Sequence, residues 1–225
     1  PYTTLFRSAG AGNPPAFVDE TADIKKAAQD IVLGASLDNN ILCIAEKSVV
    51  AMRQIEPQLV QEMVKAGCVL IENQQDIQRL VDLTVLPNGT PNKKFVGKNA
   101  SVILDAAHIP YNGDPRLIIM RTPKDHPFAV IEMLMPILPV VTVDSFDEGL
   151  DVCLMLEAGL HHTATMHSLN MERLNRMARK MKTSIFVKNG PSYAGLGFSG
   201  EGTTTFTIAT PTGESTTSAR CFARR

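Results

Sequence analysis

The 225 residues suffice for one large domain or two small ones, and 44% hydrophobic with 20% charged residues is ordinary for a globular protein. A formal net charge of -1, from 22 basic and 23 acidic side chains, leaves no electrostatic footprint for nucleic acid or an anionic membrane. No apolar run approaches the roughly 18 residues that span a bilayer, and Cys43, Cys68, Cys153 and Cys221 show no Cys-x-x-Cys spacing, which argues for reduced thiols over disulfides or structural zinc.

Residues 1–8 lack the apolar core of a secretory signal and differ in character from the rest of the chain, so they are read as a non-native leader. The chain then opens at Ala9 in a Gly/Pro-rich loop, as if cut from something longer. Asp19, Glu20 and Asp23 cluster where the first helix starts and suit its dipole. Ile24, Ala27, Ala28, Ile31 and Val32 share one helical face, with Gly34 suited to the position just past the helix end. Residues 48–52 are short and β-branched, a strand. Residues 56–66 place Leu59, Val60, Met63 and Val64 on one side of a helix that Gly67 ends. Residues 68–71 read as a buried strand and 74–83 as a helix through Ile77, Leu80 and Val81. Residues 87–97 are a polar, turn-rich surface excursion. A short helix at 99–107 and buried strands at 117–120 and 140–143 come next. Ser145-x-x-Glu148 is a capping box opening a helix through Leu156, closed by Gly159. Residues 161–167 read as a strand, Asn170 caps a helix carrying Leu174, Met177, Ala178 and Met181, and 184–187 form the next strand. Strands separated by helices of about a dozen residues predict an α/β domain, with a largely parallel sheet flanked by helices. From Gly190 onward the Gly/Thr-rich tail reads as extended and exposed, an edge or an arm reaching another subunit.

Gly195-Leu-Gly-Phe-Ser-Gly200 matches the G-x-G-x-x-G fingerprint, but that fingerprint requires a helix at the turn and an acidic residue about twenty positions on. The extended Thr-rich run after it supplies neither, so this is an active-site or substrate-channel loop. His161, His162 and His167, if on one strand, cannot converge on one ion, and no metal site is predicted. Cys68 and Cys153 sit in apolar runs and belong to the core. Cys43 lies in Asp38-Asn-Asn-Ile-Leu-Cys-Ile-Ala-Glu, a polar loop where backbone N–H groups can surround a thiol and lower its pKa. By its residues alone it stays open between a reactive thiol and a buried structural cysteine, the commoner case.

Three segments together, Gly10-Ala-Gly-Asn-Pro-Pro-Ala-Phe-Val-Asp with Asp38 to Lys47, His126-Pro-Phe-Ala-Val-Ile-Glu-Met-Leu-Met-Pro, and Lys188-Asn-Gly-Pro-Ser-Tyr-Ala-Gly-Leu-Gly, resemble the CoA-acylating aldehyde dehydrogenases. The acetaldehyde and propionaldehyde enzymes of ethanolamine and propanediol utilisation are the most similar branch. The resemblance runs from about Ala9 to Arg225. It implies an aldehyde dehydrogenase-like catalytic α/β domain at 9–189, and an active-site loop with an extended C-terminal segment at 190–225. The family's NAD-binding domain, which precedes this region, is expected to be missing, so the piece alone should have little dehydrogenase activity. Cys43 is implied as the nucleophile that carries the acyl group as a thioester, with NAD as cofactor and CoA as acyl acceptor. Glu132 should approach the nicotinamide ribose. Asn39, Asn40, Ile41, Asn189, Gly190, Pro191 and Gly195 should line the substrate and active-site loops. Hydrolytic relatives carry a glutamate base where this chain has Gly10-Ala-Gly-Asn13, and without it the thioester should survive until CoA takes it.

The implied partners are a small aldehyde and CoA, with a homo-oligomer for the full-length protein and neither nucleic acid nor membrane. The implied location is the bacterial cytoplasm, inside a microcompartment for some members. Two other readings stay open: the aldehyde half of a bifunctional aldehyde–alcohol dehydrogenase, and a fragment with only a structural or assembly role.

Overall fold

In the computed structural model of the chain, residues 10–198, 204–205, 208–209 and 215–216 are described. The leader at 1–8, the end of the glycine fingerprint and Cys221 lie outside them.

One interior strand of the sheet, next to its middle, is not revealed by periodicity. Strand β1 (Pro15–Val18) begins at the second of two prolines and is four residues long, with every residue buried. A short strand covered on both faces shows no alternation, so it reads like loop. It pairs in parallel with β2 (Ser48–Met52), Ala16 opposite Val49, and with β6 (Thr163–His167), Ala16 opposite Thr165. Strands β3 (Cys68–Leu70), β4 (Leu117–Arg121), β5 (Ile137–Val143) and β7 (Ile185–Lys188) complete a seven-stranded sheet in the order β3-β4-β5-β2-β1-β6-β7. Every pairing within it is parallel. β5 is longer than the sequence suggested. Pro139 is tolerated inside it because pairing with β2 begins only at Val140.

Helix α1 (Ile24–Ser36) packs on α2 (Glu56–Lys65), and α6 (Phe146–Glu157) packs on β1, β2 and α7 (Met171–Met181). Phe17 of β1 stacks on Phe146 at 5.7 Å. Gly149 admits that ring, since a Cβ there would stand 2.3 Å from it. A second apolar cluster joins α3 (Gln74–Thr84) and α4 (Ala100–Ala106) to β4 and β5. Each fully buried Phe or Leu in these clusters contributes about 1.5–3 kcal/mol. Among the described residues, no helix is long and apolar enough to cross a membrane.

Several expectations need correction. Gly34 does not end α1: it lies inside the helix, where a Cβ would come within 2.3 Å of the Glu46 carboxylate. Asp23 caps α1 through the Lys26 N–H, but Asp19 serves no dipole. Asp19 is fully buried, accepting hydrogen bonds from Thr21, Ser168 and Arg173. His161 and His162 precede β6 and are not on the strand, with His161 left-handed at φ 54°. The segment after Gly190 is not an exposed arm at its start. Ser192–Leu196 winds into a 3-10 turn that buries Ser192 and Leu196, and among the described residues beyond it β8 (Ile208–Ala209) pairs with β9 (Ser215–Thr216). No dinucleotide-binding helix follows Gly195 among the described residues.

Candidate active site

Four adjacent strands, β5, β2, β1 and β6, bring their amino ends together. The segments leading into them carry Glu132, Cys43 with Glu46 and Lys47, Gly12 with Asn13, and His162 respectively. The sequence reading named Cys43 and Glu132 and passed over the rest as chemistry.

The Cys43 loop is shaped by left-handed backbone. Asp38, Asn39 and Asn40 have φ of 48°, 53° and 65° in succession, a region that Asn and Asp enter more readily than other side-chain-bearing residues. Asn39 holds the bend from outside, donating to the Gly97 carbonyl and to Asn99 Oδ1. Asn40 holds it from inside: buried, it donates to the carbonyls of Ala35 and Glu46. Ile41 is exposed, its tip packed near Gly97.

Cys43 is half-buried and reduced. The backbone N–H groups of Cys43 and Ile44 act on the sulfur to favour the thiolate, the direction expected of backbone donors. The net effect is not the expected lowered pKa. Burial, and then the negative charge of Glu132, push the thiol above its ordinary value, against a smaller opposing pull from Lys47. Glu132, in the segment between α5 (Pro127–Val130) and β5, is itself pushed up by burial while accepting the Gly12 N–H and feeling Lys47. Asn13 donates both amide hydrogens, to the carbonyls of Ala129 and Leu156, and fixes the loop that precedes β1.

Lys47 is buried, and its ammonium donates to Asn40 O, Asn40 Oδ1 and Leu42 O at 2.7, 2.7 and 2.9 Å. Burial lowers its pKa to about 8. Glu46 points the other way, accepting from Ser192 N and Oγ at 2.8 Å each. Burial raises its pKa to about 7. His162 sets its ring against Gly12: a Cβ at Gly12 would stand 2.7 Å from the Cys43 carbonyl and 3.0 Å from the imidazole. The ring Nδ1 meets Thr163 Oγ1, and Nε2 is buried with no partner among the described residues. Burial, then Lys47, lower the His162 pKa, so the imidazole is neutral at pH 7. A charged pair, Glu46-Lys47, immediately before an all-buried strand was the signal in the sequence that could have exposed these residues.

The remaining predicted lining residues do not all gather at the thiol: Asn189 follows β7 at the carboxyl ends of the strands, the end opposite Cys43, and residues 190–195 run back from there so that Ser192 reaches Glu46. Asn189 bridges to Ser168 by two hydrogen bonds. Gly190 is buried, and the Pro191 carbonyl accepts from Ala194 N. Gly195 lies where a Cβ would meet Ile185 at 2.2 Å. Next to the loop, a half-open apolar cavity of about 640 Å³ is lined by Leu33, Leu37, Leu42, Tyr193, Leu196 and Phe198, among others. Among the described residues, no three His, Cys, Asp or Glu side chains converge to hold a metal ion.

Residues 8–210 match the aldehyde dehydrogenase family. Over 217 residues the chain is 56% identical to the propanal dehydrogenase (CoA-propanoylating) of Citrobacter freundii, covering 96% of this chain and 47% of that one. It superposes with TM-score 0.94 and 48% identity on a Rhodopseudomonas palustris propionaldehyde dehydrogenase with bound CoA and an acylated cysteine, covering 97% of this chain and 50% of that one. A histidine-to-alanine variant of the propionaldehyde dehydrogenase from the Clostridium phytofermentans fucose utilisation bacterial microcompartment superposes with TM-score 0.93 at 45% identity, covering 96% and 50%. The chain therefore spans about half the length of the relatives it matches.

Proposed function

We propose that this chain, which belongs to the aldehyde dehydrogenase family, is the acyl-carrying part of an enzyme that converts acetaldehyde or propionaldehyde, with NAD and CoA, to acyl-CoA and NADH. The observation that carries this proposal is the half-buried Cys43 thiol set between Glu132 and Lys47, at the amino ends of the central strands. The likeness to a CoA-bound structure with an acylated cysteine supports it.

The Cys43 thiolate adds to the aldehyde carbon to form a thiohemiacetal on sulfur. Loss of hydride from that carbon leaves a thioester; NAD supplies the hydride acceptor when bound. The CoA thiolate then attacks the thioester carbonyl, the bond to Cys43 Sγ breaks, and the thiolate is restored. Glu132 offers carboxylate oxygens beside the nucleophile, a fit for the hydroxyls of a ribose. Asn39, Asn40 and Ile41 shape the nucleophile's loop, and the turn that holds Gly190, Pro191 and Gly195 packs against Glu46 through Ser192, while Asn189 lies at the far end of the strands with Ser168. Residues 9–189 then make the catalytic domain, and 190–225 the active-site loop and C-terminal segment. A cysteine and a histidine replaced in variants of the Clostridium enzyme are as far apart along the chain as Cys43 and His161. His161 is exposed, whereas its neighbour His162 turns its neutral ring toward the nucleophile's loop, so His162 joins the site in this proposal.

Exposed Leu169 and Met171 on the β6–α7 turn, with exposed Phe198, support a homo-oligomer for the longer protein. The microcompartment source of the Clostridium enzyme supports a bacterial cytoplasmic location, inside such a compartment.

Incubation with propionyl-CoA followed by intact mass tests the central step without NAD. One propionyl adduct is expected, removable by free CoA and absent from Cys43→Ala. An adduct that persists in Cys43→Ala would refute the nucleophile assignment. So would its absence both from this chain and from one extended to the relatives' length.

A further inference from the structure

We propose that Lys47 is a positioning residue for Cys43: its ammonium fixes the Asn40–Leu42 backbone that delivers the thiol, and it supplies the positive charge that favours the thiolate. The inference rests on Cys43 being the acyl acceptor.

The geometry is that of a clamp. The three N–H groups of Lys47 go to Asn40 O, Asn40 Oδ1 and Leu42 O. They therefore join the left-handed Asn40 to the residue immediately before the nucleophile. The backbone N–H of Lys47 donates to Pro14 O at 2.8 Å, which ties the clamp to the start of β1. All three acceptors of the ammonium are neutral, and among the described residues no carboxylate oxygen lies within 4.0 Å of it. A buried cation without a paired anion is unfavourable for folding. An apolar side chain of similar length would avoid that desolvation, so stability alone does not account for a lysine here.

The charges around the clamp are few. Cys43 faces Lys47, from the segment entering β2, and Glu132, from the segment entering β5. Lys47 faces Glu132, Cys43 and Glu46, and acts in turn on His162 before β6. Glu132 opposes ionisation of the thiol and Lys47 promotes it. Removing Lys47 therefore moves the thiol further up and depletes thiolate at neutral pH.

The test is the rate at which iodoacetamide alkylates Cys43 as a function of pH, read by intact mass with Cys43→Ala as the blank. Lys47→Met should shift the midpoint up by about one pH unit, roughly ten-fold slower at pH 7. Lys47→Gln keeps hydrogen-bond donors without the charge, and should shift in the same direction should Lys47→Met not fold. Lys47→Arg should return the midpoint toward the parent's. An unchanged midpoint in a folded Lys47→Met or Lys47→Gln protein, with only a lower Tm, would overturn the inference. So would an arginine variant that stays as slow as the methionine one. Acylation by propionyl-CoA, run in parallel, keeps the two proposals apart. A shifted midpoint without acyl adduct on either the parent chain or the one extended to the relatives' length removes the acyl-acceptor proposal and leaves the effect of Lys47 on the thiol. An acyl adduct with an unshifted midpoint does the reverse.

Discussion

The two ends of the central strands hold polar clusters of similar size and opposite character. At the carboxyl ends, where β1 and β6 diverge, Asp19 is fully buried but well partnered. It accepts from Thr21 N and Oγ1 at 2.9 and 2.6 Å, Ser168 Oγ at 2.6 Å and Arg173 at 3.2 Å. Asn189 and Ser168 exchange two further hydrogen bonds. At the amino ends, Lys47 is a buried cation with neutral partners, Glu46 is a buried acid and Glu132 a half-buried one, both with raised pKa values, and among the described residues His162 keeps an unpartnered nitrogen. Ligands of open α/β sheets are expected at the carboxyl ends. Here Asp19 closes that end with satisfied bonds, although the buried His167 Nε2 and Glu20 Oε2 beside it have no partner among the described residues; the ionisable groups gathered round a thiol lie at the other end. The contrast separates a cluster that holds the fold from one held ready for chemistry.

The largest effect that would break this contrast is at Asp19. Asp19→Ala removes the acceptor of the Thr21 N–H and of two hydroxyls, and one of the two carboxylates on Arg173, which keeps Glu20; it should cost about 3 kcal/mol. Urea unfolding measures that loss, and the pH midpoint of Cys43 alkylation should stay that of the parent. A stable Asp19→Ala protein with an altered thiol would mean the two ends are not separable.

Glu46→Gln gives the next effect and has a definite sign in pH. The Glu46 pKa is about 7 folded, against 4.5 ordinarily. Its stabilising contribution is complete below 4.5 and is lost as pH rises through 7. Glu46→Gln keeps an acceptor for Ser192 and cannot ionise, so it should match the parent near pH 5 and gain on it by about 2–3 kcal/mol near pH 9. Chemical denaturation at the two pH values checks this, and a constant difference would show that Glu46 does not titrate between them.

The smallest effect sharpens the contrast at the thiol itself. Glu132 pushes the Cys43 pKa up, so Glu132→Gln should lower the midpoint and speed alkylation at pH 7 by about two- to five-fold. A slower reaction would place Glu132 among the groups that assist the thiolate.

Much of the fold was legible because its signals are local. Ser145 accepts from the Glu148 N–H as its spacing foretold, and Asn170 caps α7. Gly67, at φ 107°, follows α2 and its C-cap, and the helical stripes at Leu59 and Met63 and at Leu174 and Met177 are buried. Caps, turns and stripes depend on residues within a few positions of one another. β1 was invisible because a strand buried on both faces carries no period, and the exposed tail was misjudged because Ser192 and Leu196 are buried by contacts from distant segments.

By itself the sequence determined the α/β architecture, most of the helix caps and the family resemblance, and it pointed to Cys43 and Glu132. Only the tertiary structure decided that β1 is an interior strand and that Gly12, Glu46, Lys47 and His162 surround the cysteine's loop. It also decided that the thiol pKa is raised and not lowered. The physical reason is that hydrogen-bonded caps and amphipathic stripes are fixed by neighbours along the chain. Burial, desolvation and charge proximity are fixed by which strand ends meet, and here four segments far apart in sequence meet at one edge of the sheet.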